Sequence, residues 1–444
     1  MWRLFVVLLA GCGAADVGPR STLTSDEAAA ARTACSFTAG TLPGLSLAKD
    51  APLGAQLPID TLVIIMMENR SFDHLLGGLQ RLQPDADVAA SDVFNLDADG
   101  SKVQRFHQSD YCFDDPDHGW NEVHKQWNNG AMDGFVTVNN ADGGKITDGK
   151  RAMGYYDETD LPYLHALAST FAVADRSFCS LLGPTFPNRA YMQGASSFGF
   201  VGGVLIGDPQ LNIVETMETA KVTWHDYYAS LPTLATFVDS YAHHTDNTGP
   251  FDVFYDDVAA GKLAQVNWVD PELGDAYGAV RNDFHPPGIP QLGDQFLEKT
   301  INALIKSPQW PHMAIIITFD EHGGLYDHVP PPTACAPDGI APVIGANDVQ
   351  GKFDRLGMRV PTIIVSPYAK PHYVSHHTYD HTSILKLIES RFKLPAMTAR
   401  DANAEPFYDL FDFDHPALLH PPALPTVTID AVKQADCDRR FPKP

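Results

Sequence analysis

The chain has 444 residues, with 31 Lys+Arg against 55 Asp+Glu and a formal net charge of −24. Its length allows one large α/β domain with insertions or two domains, and 44 % hydrophobic residues suffice for a folded globule despite 34 Gly and 34 Pro. The acid excess argues against a nucleic-acid partner and against a polybasic grip on anionic membrane surfaces.

The amino terminus has one positive charge, Arg3, then a short apolar stretch ending in Leu9-Ala10-Gly11-Cys12. Too short to span a bilayer, it has the form of an export signal, and its last four residues resemble the lipobox at which bacterial lipoproteins are cut and acylated on Cys. Residues 1–12 therefore read as a lipoprotein-type signal peptide that gives membrane contact through a lipid on Cys12. The alternative is a plain signal peptide cut after Ala15. Both readings put the mature protein outside the cytoplasm, as an outer-membrane or periplasmic lipoprotein or a secreted protein. Residues 13–57, rich in Ala, Gly, Pro, Ser and Thr, read as an extracytoplasmic tether. Cys35, Cys112, Cys179, Cys335 and Cys437 make an odd set that allows up to two disulfides in an oxidising compartment. Cys35 and Cys437 lie near the two ends and would staple the termini if paired, although spacing fixes no connectivity. No C-x-x-C or Cys/His cluster appears, which argues against a thiolate zinc site.

In chain order, the first strong element is 61–67, where β-branched Thr61 precedes six apolar residues in a run too short for a helix core. It reads as a strand buried on both faces. Glu68 and Asn69 follow at once, at the carboxyl end where open α/β sheets bind ligands. Residues 71–80 begin a helix that Gly77-Gly78 interrupts. The stretch 84–150 has little regular pattern and reads as a cap-like insertion, a common form of functional wall or lid. Residues 160–170 suit a helix capped by Asp160 with Pro162 in its first turn, and 171–174, 221–228 and 266–270 read as strands. Leu292, Phe296, Leu297, Ile301, Leu304 and Ile305 keep helical spacing. Residues 313–319 form another buried strand, 359–366 a strand opened by Pro361, and Ile384, Leu385, Ile388 and Phe392 mark a last helix. The Pro-rich segment 417–444 reads as a tail over the surface. Strands alternating with helices predict an α/β fold over 58–416, a central mostly parallel sheet flanked by helices, with irregular loop insertions forming the cap.

The strand 313–319 ends in Asp320-Glu321-His322-Gly323-Gly324. Two buried strands discharging acidic or amide side chains supply hard oxygen donors for one divalent cation, with Ca, Mg, Mn or Fe favoured over Zn. Further on, Gly183-Pro184 breaks the chain, Thr185 follows, and Pro187 sits where a helix starts. A hydroxyl there faces unpaired N–H groups and the positive end of the helix dipole, which favour an alkoxide and bind phosphate. Taken alone, Thr185 is better read as an ordinary turn or cap residue. Asn69-Arg70-Ser71 matches a glycosylation sequon, but a sugar at that strand end would abolish the site. His322, His328, His376, His377 and His381 suit structural hydrogen bonds as well as ligand roles.

Taken together and in this order, Glu68-Asn69-Arg70-Ser71-Phe72-Asp73-His74, Gly183-Pro184-Thr185-Phe186-Pro187-Asn188-Arg189 and the D-E-H-G-G-L-Y-D-H-V-P-P run at 320–331 resemble the bacterial phosphoesterase family. That family contains phospholipases C and an acid phosphatase, and its fold is similar to alkaline phosphatase. The resemblance implies that Glu68, Asn69, Asp320 and Glu321 hold a metal ion together with the nucleophile hydroxyl of Thr185. It also implies phosphate-binding histidines at His118, in D-P-D-H-G-W, and His285, in N-D-F-H-P-P. The matching hydroxyl is Ser in the acid phosphatase and commonly Thr in phospholipase members, so Thr185 points to a phospholipase C.

On that reading Thr185 attacks phosphorus, His285 or His118 protonates the departing alcohol, and water later hydrolyses a phosphothreonine. Arg189 either orients a phosphate oxygen or makes a salt bridge inside the fold. A choline headgroup would call on an aromatic cage, for which Trp120, Trp127, Tyr155, Tyr156 and Trp224 are candidates. The expected function is hydrolysis of phospholipid headgroups. The alternatives are an acid phosphatase using the same residues and a non-catalytic surface lipoprotein holding structural calcium. Oligomeric state does not follow from the sequence.

Overall fold

Strand β1, Thr61–Met67, runs through the middle of an eight-stranded sheet and is buried along all seven residues. The other strands, numbered in chain order, are β2 (Ala172–Ala174), β3 (Trp224–Tyr228), β4 (Thr248–Pro250), β5 (Val266–Asp270), β6 (Met313–Phe319), β7 (Thr362–Val365) and β8 (Tyr373–Ser375). Their spatial order is β4-β3-β5-β1-β6-β7-β2-β8. The computed structural model describes residues 18–442 other than 143–144, 147, 203–205, 207–209 and 274–280, so the signal-peptide reading of 1–12 lies outside the described residues.

β1 pairs in parallel with both β5 and β6, placing Leu62 beside Val266 and Ala314. The sheet is parallel except at β7, which is antiparallel to its neighbours β6 and β2. A parallel neighbour needs a crossover, usually a helix, and an antiparallel one does not. Between Phe319 and Thr362 the chain forms no helix, and β7 accordingly returns in the opposite sense. Because β1 and β6 are buried throughout, both faces of the sheet must be covered. Leu164, Leu167, Leu297, Ile301, Ile384 and Ile388, from helices Pro162–Thr170, Pro290–Ile305 and Thr382–Phe392, join the strands in one core.

Several local expectations are corrected. Helix Pro162–Thr170 starts at its proline, but Leu161 rather than Asp160 is the residue before it, and it makes no side-chain cap. The buried carboxylate of Asp294 instead accepts the Tyr163 and Leu164 N–H groups, at 3.1 and 2.7 Å. Asp160 takes the Tyr111 hydroxyl at 2.7 Å. Residues 18–57 are not a free tether: helix Ser25–Thr33 docks on the domain through a partly buried Arg32–Glu405 ion pair. The Cys35–Cys437 staple is not formed; the pairs are Cys35–Cys335 and Cys112–Cys437, with Cys179 free and buried. The second bond fastens helix Ala431–Arg440, within the expected tail, to the cap, where Arg440 also pairs with Asp110 at 2.9 Å.

Cys437→Ser is expected to lower stability by about 2–4 kcal/mol and to expose helix Ala431–Arg440 to protease before the rest of the domain. Denaturant unfolding and limited proteolysis check this. A variant as stable and resistant as the parent would show that the Arg440 contacts alone hold that helix.

Candidate active site

Glu68 and Asn69 leave β1, and Asp320 and Glu321 leave its parallel neighbour β6, so four oxygen-bearing side chains share one sheet edge. All four are buried. The two strand ends interlock: Asn69 N–H donates to Asp320 Oδ1 at 3.0 Å, and Glu321 N–H to the same oxygen at 2.7 Å. Asn69 adopts φ 54°, a left-handed conformation that asparagine tolerates. Gly323 has φ 65°, and a Cβ there would lie 2.2 Å from the Asn69 carbonyl oxygen, so glycine is required.

Helix Thr185–Gly194 brings the third component. The buried amide of Asn188 stitches the preceding loop onto this helix, accepting from Ser180 and Leu181 N–H at 2.9 and 3.1 Å and donating to the Gly183 carbonyl at 2.9 Å. Thr185 is thereby fixed at the helix start, and its hydroxyl donates to Asn69 Oδ1 at 3.3 Å. Four residues further on the same helix face, Arg189 donates to Glu68 Oε1 through Nε at 3.0 Å and also through Nη2. Its guanidinium lies 3.5 Å from Asp270 and 3.8 Å from Asp320. Of the two roles considered for Arg189, the internal salt bridge is the one formed. The guanidinium is turned to the Glu68, Asp270 and Asp320 carboxylates.

The cap supplies His118 beside the hydroxyl. The Asn69 amide lies between the two, its Nδ2 3.1 Å from His118 Nε2, and His118 Nδ1 donates to the Pro116 carbonyl at 2.7 Å. The same Nε2 is 3.5 Å from Glu321 Oε1. Burial disfavours a charged His118, but the Glu321 and Asp115 carboxylates outweigh it and lift its pKa to about 10. His285 stands edge-on to His118 with ring centroids 5.9 Å apart. Burial, then Arg281 and His118, push His285 well below the usual histidine range. Burial and the neighbouring Glu68 and Glu321 push Asp320 well up, while against the burial of Glu321 the His118 charge, His322 and the Gly323 N–H together hold that carboxyl down.

Asp320 Oδ2 and Glu321 Oε1 are buried without a hydrogen-bond partner, a costly state unless positive charge reaches them. Glu68, the Asn69 amide oxygen and the Thr185 hydroxyl stand at the same sheet edge, and oxygen donors of this kind suit a divalent cation. Among the described residues, the groups of three acidic or His side chains whose ligating atoms lie within 4.8 Å of one another are Asp115, His118 and His285; Asp73, Asp327 and His328; and His107, Asp157 and Asp160. In the second, Arg359 already pairs with Asp327 at 2.8 Å and Asp73 at 3.2 Å. In the third, the His107 side chain is 44 % exposed and hydrogen-bonded to Asp160. Five histidines take structural contacts: His322 with Gln126, His328 with Asp73, His376 with Asp175, His381 with the Phe319 carbonyl, and His377 stacked on Tyr379.

Asp115 and Asp270 were not singled out in the sequence. Asp270 ends β5 just as Glu68 and Asp320 follow their strands, so the same signal marks it. Asp115 gives no such sign, because it approaches His285, at 3.8 Å, only through the folding of the cap. The proposed cage aromatics do not surround one point: Tyr156 and Trp224 belong to the main core, whereas Trp120 packs beside Leu181 and lines a depression of about 310 Å³ with His118 and Pro184.

Cation-binding oxygens beside a hydroxyl at a helix start and a pair of histidines, at the edge of a mostly parallel sheet, are the equipment of a phosphoric ester hydrolase. The chain belongs to the phosphoesterase family, whose model matches residues 59–395. It is 32 % identical to Phospholipase C B of Mycobacterium tuberculosis over 478 residues, covering 91 % of this chain and 90 % of that one. It is 33 % identical to Non-specific phospholipase C4 of Arabidopsis thaliana, covering 83 % and 74 % of the two chains. Among solved structures, a protein in the alkaline phosphatase superfamily from Vibrio parahaemolyticus overlaps loosely, with TM-score 0.37, 10 % identity and coverage of 78 % and 70 %.

Arg189→Met is expected to destabilise the protein by about 3–5 kcal/mol, since Glu68, Asp270 and Asp320 lose their shared guanidinium. Urea unfolding measures this. A loss below about 1 kcal/mol, the scale of an exposed ion pair, would show that these carboxylates do not depend on it.

Proposed function

We propose that the protein is a phospholipase C that cleaves the headgroup from phospholipids through a phosphothreonine on Thr185. The observation that carries this reading is the Thr185 hydroxyl on Asn69, at the head of the helix whose Arg189 holds Glu68. The phospholipase C relatives support the substrate class.

A divalent cation held by Glu68, Asn69, Asp320 and Glu321 would lower the hydroxyl's pKa and offset charge on the phosphoryl oxygens. Ca, Mg, Mn and Fe suit these oxygens better than Zn. The chain's own groups do the rest. Asn69 orients Thr185 Oγ1, which attacks phosphorus, while the helix start presents unpaired N–H groups and positive dipole to the phosphate. His118, its Nδ1 held by the Pro116 carbonyl, gives a proton from Nε2 to the departing diacylglycerol oxygen. The neutral His285 takes a proton from the water that attacks phosphorus; the P–Oγ1 bond breaks, the phosphorylated headgroup leaves, and Thr185 Oγ1 takes a proton back to regain its hydroxyl.

We also read the protein as extracytoplasmic. Two disulfides support an oxidising compartment, and the Leu9–Cys12 pattern supports a lipid on Cys12. A phosphomonoesterase would use the same residues, and the substrate comparison below separates the two.

Purified protein is expected to hydrolyse p-nitrophenyl phosphorylcholine in preference to p-nitrophenyl phosphate. Thr185→Ala should lower kcat about 10³-fold or more while the protein stays folded and keeps its metal. Preference for the monoester would favour the acid-phosphatase reading. Full activity in Thr185→Ala would remove the phosphothreonine, and no turnover by the parent under any metal would leave a structural calcium site.

A further inference from the structure

The hydrolase site opens beside two uncharged apolar segments that are far apart in the chain. Residues 198–202 read Phe-Gly-Phe-Val-Gly and residues 339–347 Gly-Ile-Ala-Pro-Val-Ile-Gly-Ala-Asn. The Val343 N–H donates to the Gly199 carbonyl at 2.8 Å, and Ser196 Oγ to Asp338 Oδ2 at 2.6 Å. Gly199 has φ 90°, and a Cβ there would come within 3.2 Å of the Ile340 side chain and 3.1 Å of Val343, so only glycine lets the segments meet. Their roots are fixed. Val201 and Ile344 pack on Trp120, Leu181, Tyr191 and Phe353, and Phe200 packs against Ala190 and Phe237. Tyr191 and Ala190 lie on the helix that begins with Thr185. At the far end, Trp120 Nε1 donates to the Val349 carbonyl at 2.9 Å, and Asn121 to Asp348 at 2.8 Å.

The tips are the reverse of the roots. Val343 is 74 % and Ile340 45 % exposed. Val201 and Gly202 line the same depression as His118 and Pro184. A rooted, uncharged lip with exposed branched aliphatics therefore stands at the mouth of the catalytic site.

We propose that this lip, through its exposed Ile340 and Val343, is the surface by which the enzyme seats itself on a phospholipid bilayer. The proposal rests on the phospholipase C reading, which places the scissile bond at a headgroup layer. A chain of net charge −24 gains nothing from anionic lipid, and no helix among the described residues is long and apolar enough to cross a membrane. A lipid on Cys12 would tether the chain end without orienting the site, and what can hold the site itself against lipid is shallow burial of apolar side chains at the acyl boundary. The lip offers those side chains where the headgroup must enter.

The test uses the full chain in a Cys12→Ser background, so that no acyl chain contributes. Binding to phosphatidylcholine vesicles is measured by co-sedimentation at low and high salt. The parent is expected to bind, with no loss at high salt. Ile340→Glu and Val343→Glu should each weaken binding about tenfold or more and slow hydrolysis of vesicle lipid, leaving turnover of soluble p-nitrophenyl phosphorylcholine unchanged. Val432→Glu, at an equally exposed valine on helix Ala431–Arg440 (81 %), should change neither. The proposal is overturned if the lip variants bind vesicles as the parent does, if Val432→Glu weakens binding equally, or if the parent does not bind. It is also overturned if the lip variants lose soluble turnover, or if light scattering shows a parent dimer that Val343→Glu splits, which would make a second copy the occupant. Vesicle binding by the lip without cleavage of the choline ester would instead sink the phospholipase reading and leave the lip standing.

Discussion

Glu68, Asp320 and Glu321 are delivered by two paired strands into a place with almost no solvent, and buried carboxylates persist only against positive charge. That constraint accounts for most of what surrounds them. Arg189 answers Glu68 and leans toward Asp270 and Asp320, and His118 answers Glu321. The His118–Glu321 and Arg189–Asp320 contacts, at 3.5 and 3.8 Å, leave Glu321 Oε1 and Asp320 Oδ2 without a hydrogen bond, and the remaining negative charge is what a dication would meet. Because Arg189 and Thr185 are four residues apart on one helix, the counter-charge and the hydroxyl arrive together. A helix placed to neutralise Glu68 also presents Thr185 to Asn69.

The cap completes the site from outside the sheet. His118 and Asp115 come from an insertion, and the cap's far side is secured by Cys112–Cys437 to the chain's last helix. Trp120, two residues after His118, binds the Val349 carbonyl at the root of the apolar lip. The histidine and the lip are therefore held by adjacent residues, which relates the position of the site to that of any surface the lip contacts.

What the sequence made legible was local. An unbroken apolar run at 61–67 or 313–319 marks a buried strand by itself, and the acid that follows has no choice but to stand at its end. The same rule covers Asp270 at the end of 266–270, although that strand is short and carries a polar Asn267 and a Trp268 that blur its apolar run. The break at Gly183-Pro184 announced a helix start, and the family resemblance supplied the roles of Thr185, His118 and His285. What depended on distant partners was hidden. Nothing near Arg189 in sequence announces Glu68, nothing near Tyr163 announces Asp294, and cysteine spacing did not reveal that Cys35 joins Cys335. Residues 18–57 looked like a linker because their small residues have no period, yet Arg32 finds Glu405 across the whole chain. The antiparallel β7 followed from the missing helix before it, a signal that strand-by-strand reading passes over.

The central claim is that Glu68, Asn69, Asp320, Glu321 and the Thr185 hydroxyl surround one cation. An anomalous difference map from crystals soaked in manganese, an oxygen-seeking ion, tests it most directly. A single strong peak about 2.0–2.6 Å from those oxygens is the predicted result. A site that stays empty with Thr185 turned away, or a peak confined to Asp73, Asp327 and His328, would contradict it.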